Sequence, residues 1–218
     1  MIKACIFDLD GVLVDTARYH YLAWRRLARE LGFDFSEEQN EALKGVSRMA
    51  SLDILLDAGG LRESFSPAGK AEMATRKNNW YVEMISRMTP GEILPGVERF
   101  LEEVRHTGLK IALGSASRNA PMILERTGIA RFFDAVVDGG MVSAAKPDPQ
   151  VFLLGAELTG TPPDECVVFE DAEAGIEAAT RAGMRSVGVG ASETLAHATL
   201  RIGGFEGFTV ENLMERLK

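Results

Sequence analysis

The stretch Lys3–Asp8, KACIFD, is apolar nearly throughout, and it limits the fold more than any other feature. A strand without a polar face must be covered on both sides, as in the middle of a parallel sheet. It ends in a polar turn, Asp8-Leu9-Asp10-Gly11. The sequence after the turn is helical for a long way. Tyr21, Trp24, Ala28 and Leu31 recur at helical spacing from Ala17 to Leu31, and Gly32 stops the run. Ser36-Glu37-Glu38-Gln39 has the form of a capping box. Ser47 to Ala58 reads as a helix stopped by Gly59-Gly60, and Ser66-Pro67 starts another that runs to about Met88.

A different rhythm begins after Thr89-Pro90-Gly91. Helices are expected at Val97–Thr107, Ala120–Thr127, Gln150–Thr159, Gly175–Ala182 and Glu211–Leu217. Strands are expected at Lys110–Gly114, Ala135–Val137, Cys166–Phe169 and Ser186–Val189. Alternation of this kind implies an α/β fold, a Rossmann-like doubly wound parallel sheet. The helical block interrupts it after the first strand. The expected division is a core of residues 1–15 and 92–218 and an inserted α-helical domain of residues 16–91. The segment Ala191–Thr209 carries no legible motif.

Ligands of open α/β sheets sit beyond the carboxyl ends of the strands. The polar residues expected there are Asp8 and Asp10, Ser115 and Ser117 flanking Ala116, Lys146 in Lys146-Pro147-Asp148-Pro149, and Glu170-Asp171. Four carboxylates crowded at one edge would repel one another and take up protons unless a divalent cation sat among them. An all-oxygen set without His or Cys favours Mg²⁺ over zinc, and Mg²⁺ accompanies phosphate chemistry.

These residues, in this order, resemble the four motifs of the haloacid dehalogenase-like superfamily. Asp8-Leu9-Asp10-Gly11-Val12-Leu13-Val14-Asp15-Thr16 resembles the first motif, Ser115 the second, Lys146-Pro147 the third and Glu170-Asp171 the fourth. Within the superfamily the likeness is to its sugar phosphomutases. It is carried by Thr16, His20, Trp24, Leu43-Lys44-Gly45-Val46-Ser47-Arg48, Arg76-Lys77-Asn78 and Ser115-Ala116-Ser117-Arg118-Asn119. The resemblance implies that the helical insertion is a cap domain. It also implies that Asp8 is a nucleophile forming an aspartyl phosphate and that Asp10 is the general acid and base. Asp8, Asp10 (through its backbone carbonyl), Glu170 and Asp171 would surround Mg²⁺. Ser115, Ala116 and Lys146 would bind the transferring phosphoryl group. Gly45, Val46, Ser47, Arg48, Lys77, Ser117 and Asn119 would bind the substrate and its distal phosphate, and Thr16 and His20 would take part in cap closure.

Physical chemistry is compatible with those roles. An unperturbed aspartate, with a pKa of ~3.9, is already ionised at neutral pH and needs no base to activate it. Arginine's planar fork suits a phosphate. Lys77, on the charged run Glu72 to Lys77, would ordinarily be a solvated lysine, and His20 a helix-surface histidine. Trp24 is expected to pack within the cap. The same resemblance leaves a second possibility, a hexose-phosphate phosphatase, in which water and not a sugar hydroxyl attacks the phosphoenzyme.

The remaining expectations concern surroundings. The 218 residues carry a net charge of −8, which disfavours non-specific nucleic-acid binding. The N-terminus lacks a secretory signature and no apolar run approaches the ~20 residues of a membrane span. A cytoplasmic monomer acting on a small sugar phosphate is expected, with Cys5 and Cys166 buried and unbridged.

Overall fold

A computed structural model describes residues 1–43, 46–190 and 195–217. The chain divides into two compact units, Met1–Asp15 with Met88–Lys218, and Thr16–Arg87. Met88 to Gly91, expected in the inserted unit, fall in the larger one.

The larger unit is a six-stranded sheet. Its strands are β1 (Ala4–Phe7), β2 (Lys110–Gly114), β3 (Ala135–Val137), β4 (Cys166–Glu170), β5 (Arg185–Val189) and β6 (Leu200–Ile202), in the order β3-β2-β1-β4-β5-β6. All neighbours are parallel, and Phe7 at the end of β1 is in register with Leu113 and Phe169. The two faces explain the apolar first strand. Ala4 and Ile6 join a core with Val151, Phe152, Ala178 and Ala179 from the helices α7 (Gln150–Thr159) and α8 (Glu173–Arg181). Phe7 stacks on Phe169, with ring centroids 4.6 Å apart, and meets Phe100 of helix α5 (Val97–His106) edge-on. Cys5 and Cys166 are buried and free.

The inserted unit contains α1 (Ala17–Glu30), α2 (Glu37–Glu41), α3 (Arg48–Ala58) and α4 (Pro67–Ile85), and no strand among its described residues. Its own core gathers Trp24, Leu27, Phe35, Leu52, Leu55, Leu56 and Met73. The Ser36 capping box forms, and Ser47 and Ser66 cap their helices through their side chains. The last helices of the larger unit are α6 (Ala120–Thr127) and α9 (Val210–Arg216).

Several boundaries move. Helix α4 stops at Ile85 and not at Met88, because Pro90 disfavours helical backbone at Thr89 and the chain tightens before it. Helix α8 starts at Glu173, ahead of the expected Gly175. Strand β6 lies within the segment that carried no legible motif; only three residues pair, at the edge of the sheet. No helix of the described residues is long and apolar enough to cross a membrane.

Candidate active site

The sheet order reverses at β1 and β4, so the crevice beyond their carboxyl ends is the topological switch point where open sheets bind ligands. Register then decides which residues meet there. Asp8 follows Phe7, Glu170 follows Phe169, and Phe7 and Phe169 are paired. The Asp8 amide donates to Phe169 O at 2.9 Å. Past Asp8 the chain folds back in a tight loop. Leu13 N and Val14 N both donate to Leu9 O, and Gly11 N donates to Val14 O.

Asp8, Glu170 and Asp171 each offer a carboxylate oxygen within 4.8 Å of the others. Two glycines make room for them. A Cβ on Gly11, whose φ is +74°, would stand 2.0 Å from Asp171 Oδ2. A Cβ on Gly175 would stand 2.0 Å from Glu170 Oε2. Gly175 was expected to start α8; the structure puts it in the first turn instead, where its missing side chain leaves space for Glu170. A glycine in a helix is unfavourable by about 1 kcal/mol, so one so soon after Glu-Asp was the available sequence signal.

Lys146 completes the cluster. Its Nζ donates to Asp8 Oδ1 at 2.5 Å and to Glu170 Oε2 at 2.8 Å, and lies 4.7 Å from the centre of the Phe152 ring. The other oxygen of Glu170 accepts from the amides of Asp171 and Ala172, each at 3.2 Å. Burial alone would push the Lys146 ammonium down, but Asp8 and Glu170 overturn this and hold it above the ordinary lysine value. Burial pushes the Glu170 carboxyl up; Lys146 opposes the shift, while Asp8 and Asp171 add to it. Burial, with Asp8 and Asp10, pushes Asp171 up as well. When ionised, the three carboxylates carry more negative charge than one ammonium offsets. Their all-oxygen donors and the space left by Gly11 and Gly175 fit a hard divalent cation. Asp10 contributes no side-chain oxygen to that close cluster and is half-buried.

The loop after β2 is organised by its own hydroxyls. Ser117 N donates to Ser115 Oγ at 3.1 Å, and Asn119 N donates to Ser117 Oγ at 3.2 Å. Ser115 is buried, Ala116 and Arg118 are exposed, and Asn119 stands at the N-terminus of α6. Gly139 presses on this loop: its amide donates to Ser117 O at 3.3 Å, and a Cβ there would meet Ala116 O at 2.0 Å.

In the inserted unit, Thr16 is buried at the N-terminus of α1, and Arg48 opens α3 on the exposed side with Val46 and Ser47. Gly45 lies outside the described residues, as does Lys44. Lys77 is not the solvated lysine its charged helix predicts. It is 2% exposed, with Nζ 2.8 Å from His20 Nδ1 and 4.5 Å from the centre of the Trp24 ring. His20 is half-buried and lies against Tyr81, ring centroids 4.0 Å apart. Trp24 packs in the unit's core, as expected.

A parallel sheet reversing beside an aspartate, with an acidic pair and a lysine gathered on it, defines the class: an α/β protein with a helical insertion after its first strand and an oxygen-rich site suited to a hard divalent cation. A family model described as haloacid dehalogenase-like hydrolase matches residues 2–183, and the chain belongs to that family. Among its relatives, the chain is 44% identical to β-phosphoglucomutase of Bacillus subtilis (strain 168), over 98% of this chain and 95% of that protein. It is similar also to the crystal structure of β-phosphoglucomutase from Clostridium difficile, with a TM-score of 0.92 and 46% identity over 100% of this chain and 97% of that one. A phosphorylated carbohydrates phosphatase of Thermotoga maritima is 33% identical, over 100% of this chain and 99% of that protein.

Proposed function

We propose that this chain is a β-phosphoglucomutase, a Mg²⁺-dependent phosphomutase that interconverts β-glucose 1-phosphate and glucose 6-phosphate. The observation that carries the phosphoryl-transfer chemistry is the Lys146 ammonium lying between Asp8 and Glu170 with Asp171 close by. The choice of mutase over phosphatase rests on the near-full-length likeness to β-phosphoglucomutases.

In this reading Asp8 attacks the phosphorus of a phosphate ester. The bond from phosphorus to the bridging oxygen breaks, and Asp10 gives that oxygen a proton. Phosphorylated Asp8 next passes its group to the 6-hydroxyl of β-glucose 1-phosphate, whose proton goes to Asp10. The resulting β-glucose 1,6-bisphosphate reorients, returns its 1-phosphoryl group to Asp8 and leaves as glucose 6-phosphate. Ser115, the Ala116 backbone and Lys146 hold the oxygens of the moving group. Asp8, Glu170, Asp171 and the Asp10 carbonyl would hold Mg²⁺, which when bound draws negative charge off the phosphoryl oxygens. Arg48, Lys77, Ser117 and Asn119, with the segment Gly45–Ser47, would hold the rest of the sugar phosphate, and Thr16 and His20 would act in closure.

A cytoplasmic monomer suits this small-molecule chemistry. The second reading, a sugar-phosphate phosphatase, has the weaker likeness behind it. One assay separates the two. With β-glucose 1-phosphate, Mg²⁺ and a trace of the bisphosphate, glucose 6-phosphate should form faster than inorganic phosphate. Phosphate as the main product would overturn the mutase and favour the phosphatase.

A further inference from the structure

We propose that Gln150 is a positioning residue for phosphoryl transfer, acting through Lys146. Lys146 comes from a loop and not from a strand or helix, yet its ammonium is held between two carboxylates. A flexible four-carbon stem cannot supply that precision alone. Something must fix the loop, and the hydrogen bonds identify what does.

Gln150 is the first residue of α7, and its side chain turns back toward the loop that precedes the helix. Its Oε1 accepts three hydrogen bonds: from Ser143 N at 2.8 Å, Ala144 N at 3.2 Å and Ser143 Oγ at 3.2 Å. Two of the donors are backbone amides, so only the carbonyl end of the amide can serve. Only Ala145 separates Ala144 from Lys146. The remainder of the turn is tied in the same direction. Asp148 N donates to Ala145 O at 3.0 Å, and Gln150 N donates to Asp148 Oδ1 at 3.0 Å. At its other end the loop is fixed by Gly139 against Ser117. Between the two anchors lies a niche of about 190 Å³, lined in part by Ala116, Arg118, Ser143 and Lys146. With open space beside it, the loop does not owe its position to packing alone. The Gln150 oxygen is the anchor on the lysine side of that space.

Ser143 is exposed and Ala144 half-buried, so water can replace the lost acceptor. Removing it therefore loosens the loop without unfolding the protein. A displacement of about 1 Å at a group that holds a reacting phosphoryl can cost about 10²-fold in rate. The inference rests on the reading that Lys146 holds the transferring phosphoryl group.

The test compares Gln150→Met, which keeps length and loses the acceptor, with Gln150→Glu, which keeps an acceptor oxygen. Both are measured in the bisphosphate-primed assay and, for phosphate release, on p-nitrophenyl phosphate, alongside thermal unfolding. Gln150→Met should lower kcat on the order of 10- to 10²-fold with KM changed by less than about threefold. Gln150→Glu should stay within about fivefold of the wild type, and both should unfold near the wild-type temperature. Wild-type kcat in Gln150→Met overturns the proposal. So does an equal loss in both variants, or a loss that disappears once rates are expressed per folded molecule. If the wild type itself turns over neither substrate, the reading of the site falls and the proposal with it. If the wild type is active and Gln150→Met is too, the positioning role alone falls.

Discussion

His20 and Lys77 face each other inside the inserted unit. Burial above all, then Lys77 and Arg48, hold the His20 imidazole well below its ordinary pKa. The ring is therefore neutral near pH 7, and its Nδ1 is free to accept from the Lys77 ammonium 2.8 Å away. The consequence for stability has a definite sign. The unfolded chain takes up a proton on His20 below about pH 6.5, and the folded one does so only at much lower pH. Stability contributed by the neutral ring is complete above that pH and is lost as pH falls toward the folded value. Glu170 and Asp171, whose carboxyls are pushed up, act in the opposite direction, so the His20 contribution is read from urea unfolding between pH 5 and 7.5 as a difference between wild type and variant. His20→Gln, which cannot titrate, should lack that part of the slope; identical slopes would show that His20 does not titrate differently on folding. Lys77 also marks a limit of sequence reading. Asp8, Asp10, Glu170 and Asp171 were legible because each sits where an apolar run breaks into polar residues. Lys77 sits in a run of charges; Tyr81, one turn further along α4, lies 5.0 Å from its ammonium, but nothing local says that Trp24, from α1, lies 4.5 Å from it.

At the scale of elements, segments with a marked apolar pattern were legible even when short, and the one that depends on its neighbour, β6, was not. β1, β2 and β3 have the wholly or largely apolar character that burial demands. β6 is three residues with a polar centre, Leu200-Arg201-Ile202, and only pairing with β5 makes it a strand. The stretch from Phe205 to Val210 is fixed from a distance by α5. Arg99 Nη2 donates to Phe205 O at 3.1 Å and to Phe208 O at 2.7 Å, and Glu103 Oε2 accepts from Val210 N at 3.1 Å. Those bonds seat Phe205 and Phe208 against Phe100. Hydrogen bonds from a charged donor are worth about 1.5–3 kcal/mol, and partial exposure of Arg99 argues for the lower end. Arg99→Ala should cost about 1–2 kcal/mol in chemical denaturation while leaving KM for the sugar phosphate unchanged. A change below about 0.5 kcal/mol would show that the phenylalanines hold the segment unaided.

For the whole molecule, the reversal of strand order collects charge at one place. Asp8, Glu170 and Asp171 come from distant parts of the chain and meet because β1 and β4 are neighbours. A cation binding there offsets like-charge repulsion that the fold otherwise has to sustain. Removing divalent metal with a chelator should lower turnover by at least about 10²-fold, a loss of the size expected when a main source of charge stabilisation goes. Added Mg²⁺ should restore turnover and also raise the melting temperature by mass action. Full activity after exhaustive chelation would show that Lys146 and backbone donors suffice.

The same central strand has a consequence in time. β1 is made first, but its partners lie far along the chain, at Lys110–Leu113 and Cys166–Phe169. During synthesis at about 5–20 residues per second, an apolar strand with both edges open must wait for several seconds. Meanwhile the inserted unit, which gathers a core of its own, can fold before the sheet exists. Loop closure over such spans is slow, and an unpaired edge invites other chains. The molecule is therefore most exposed to aggregation not as a finished protein but as a nascent one, between the emergence of β1 and that of β4.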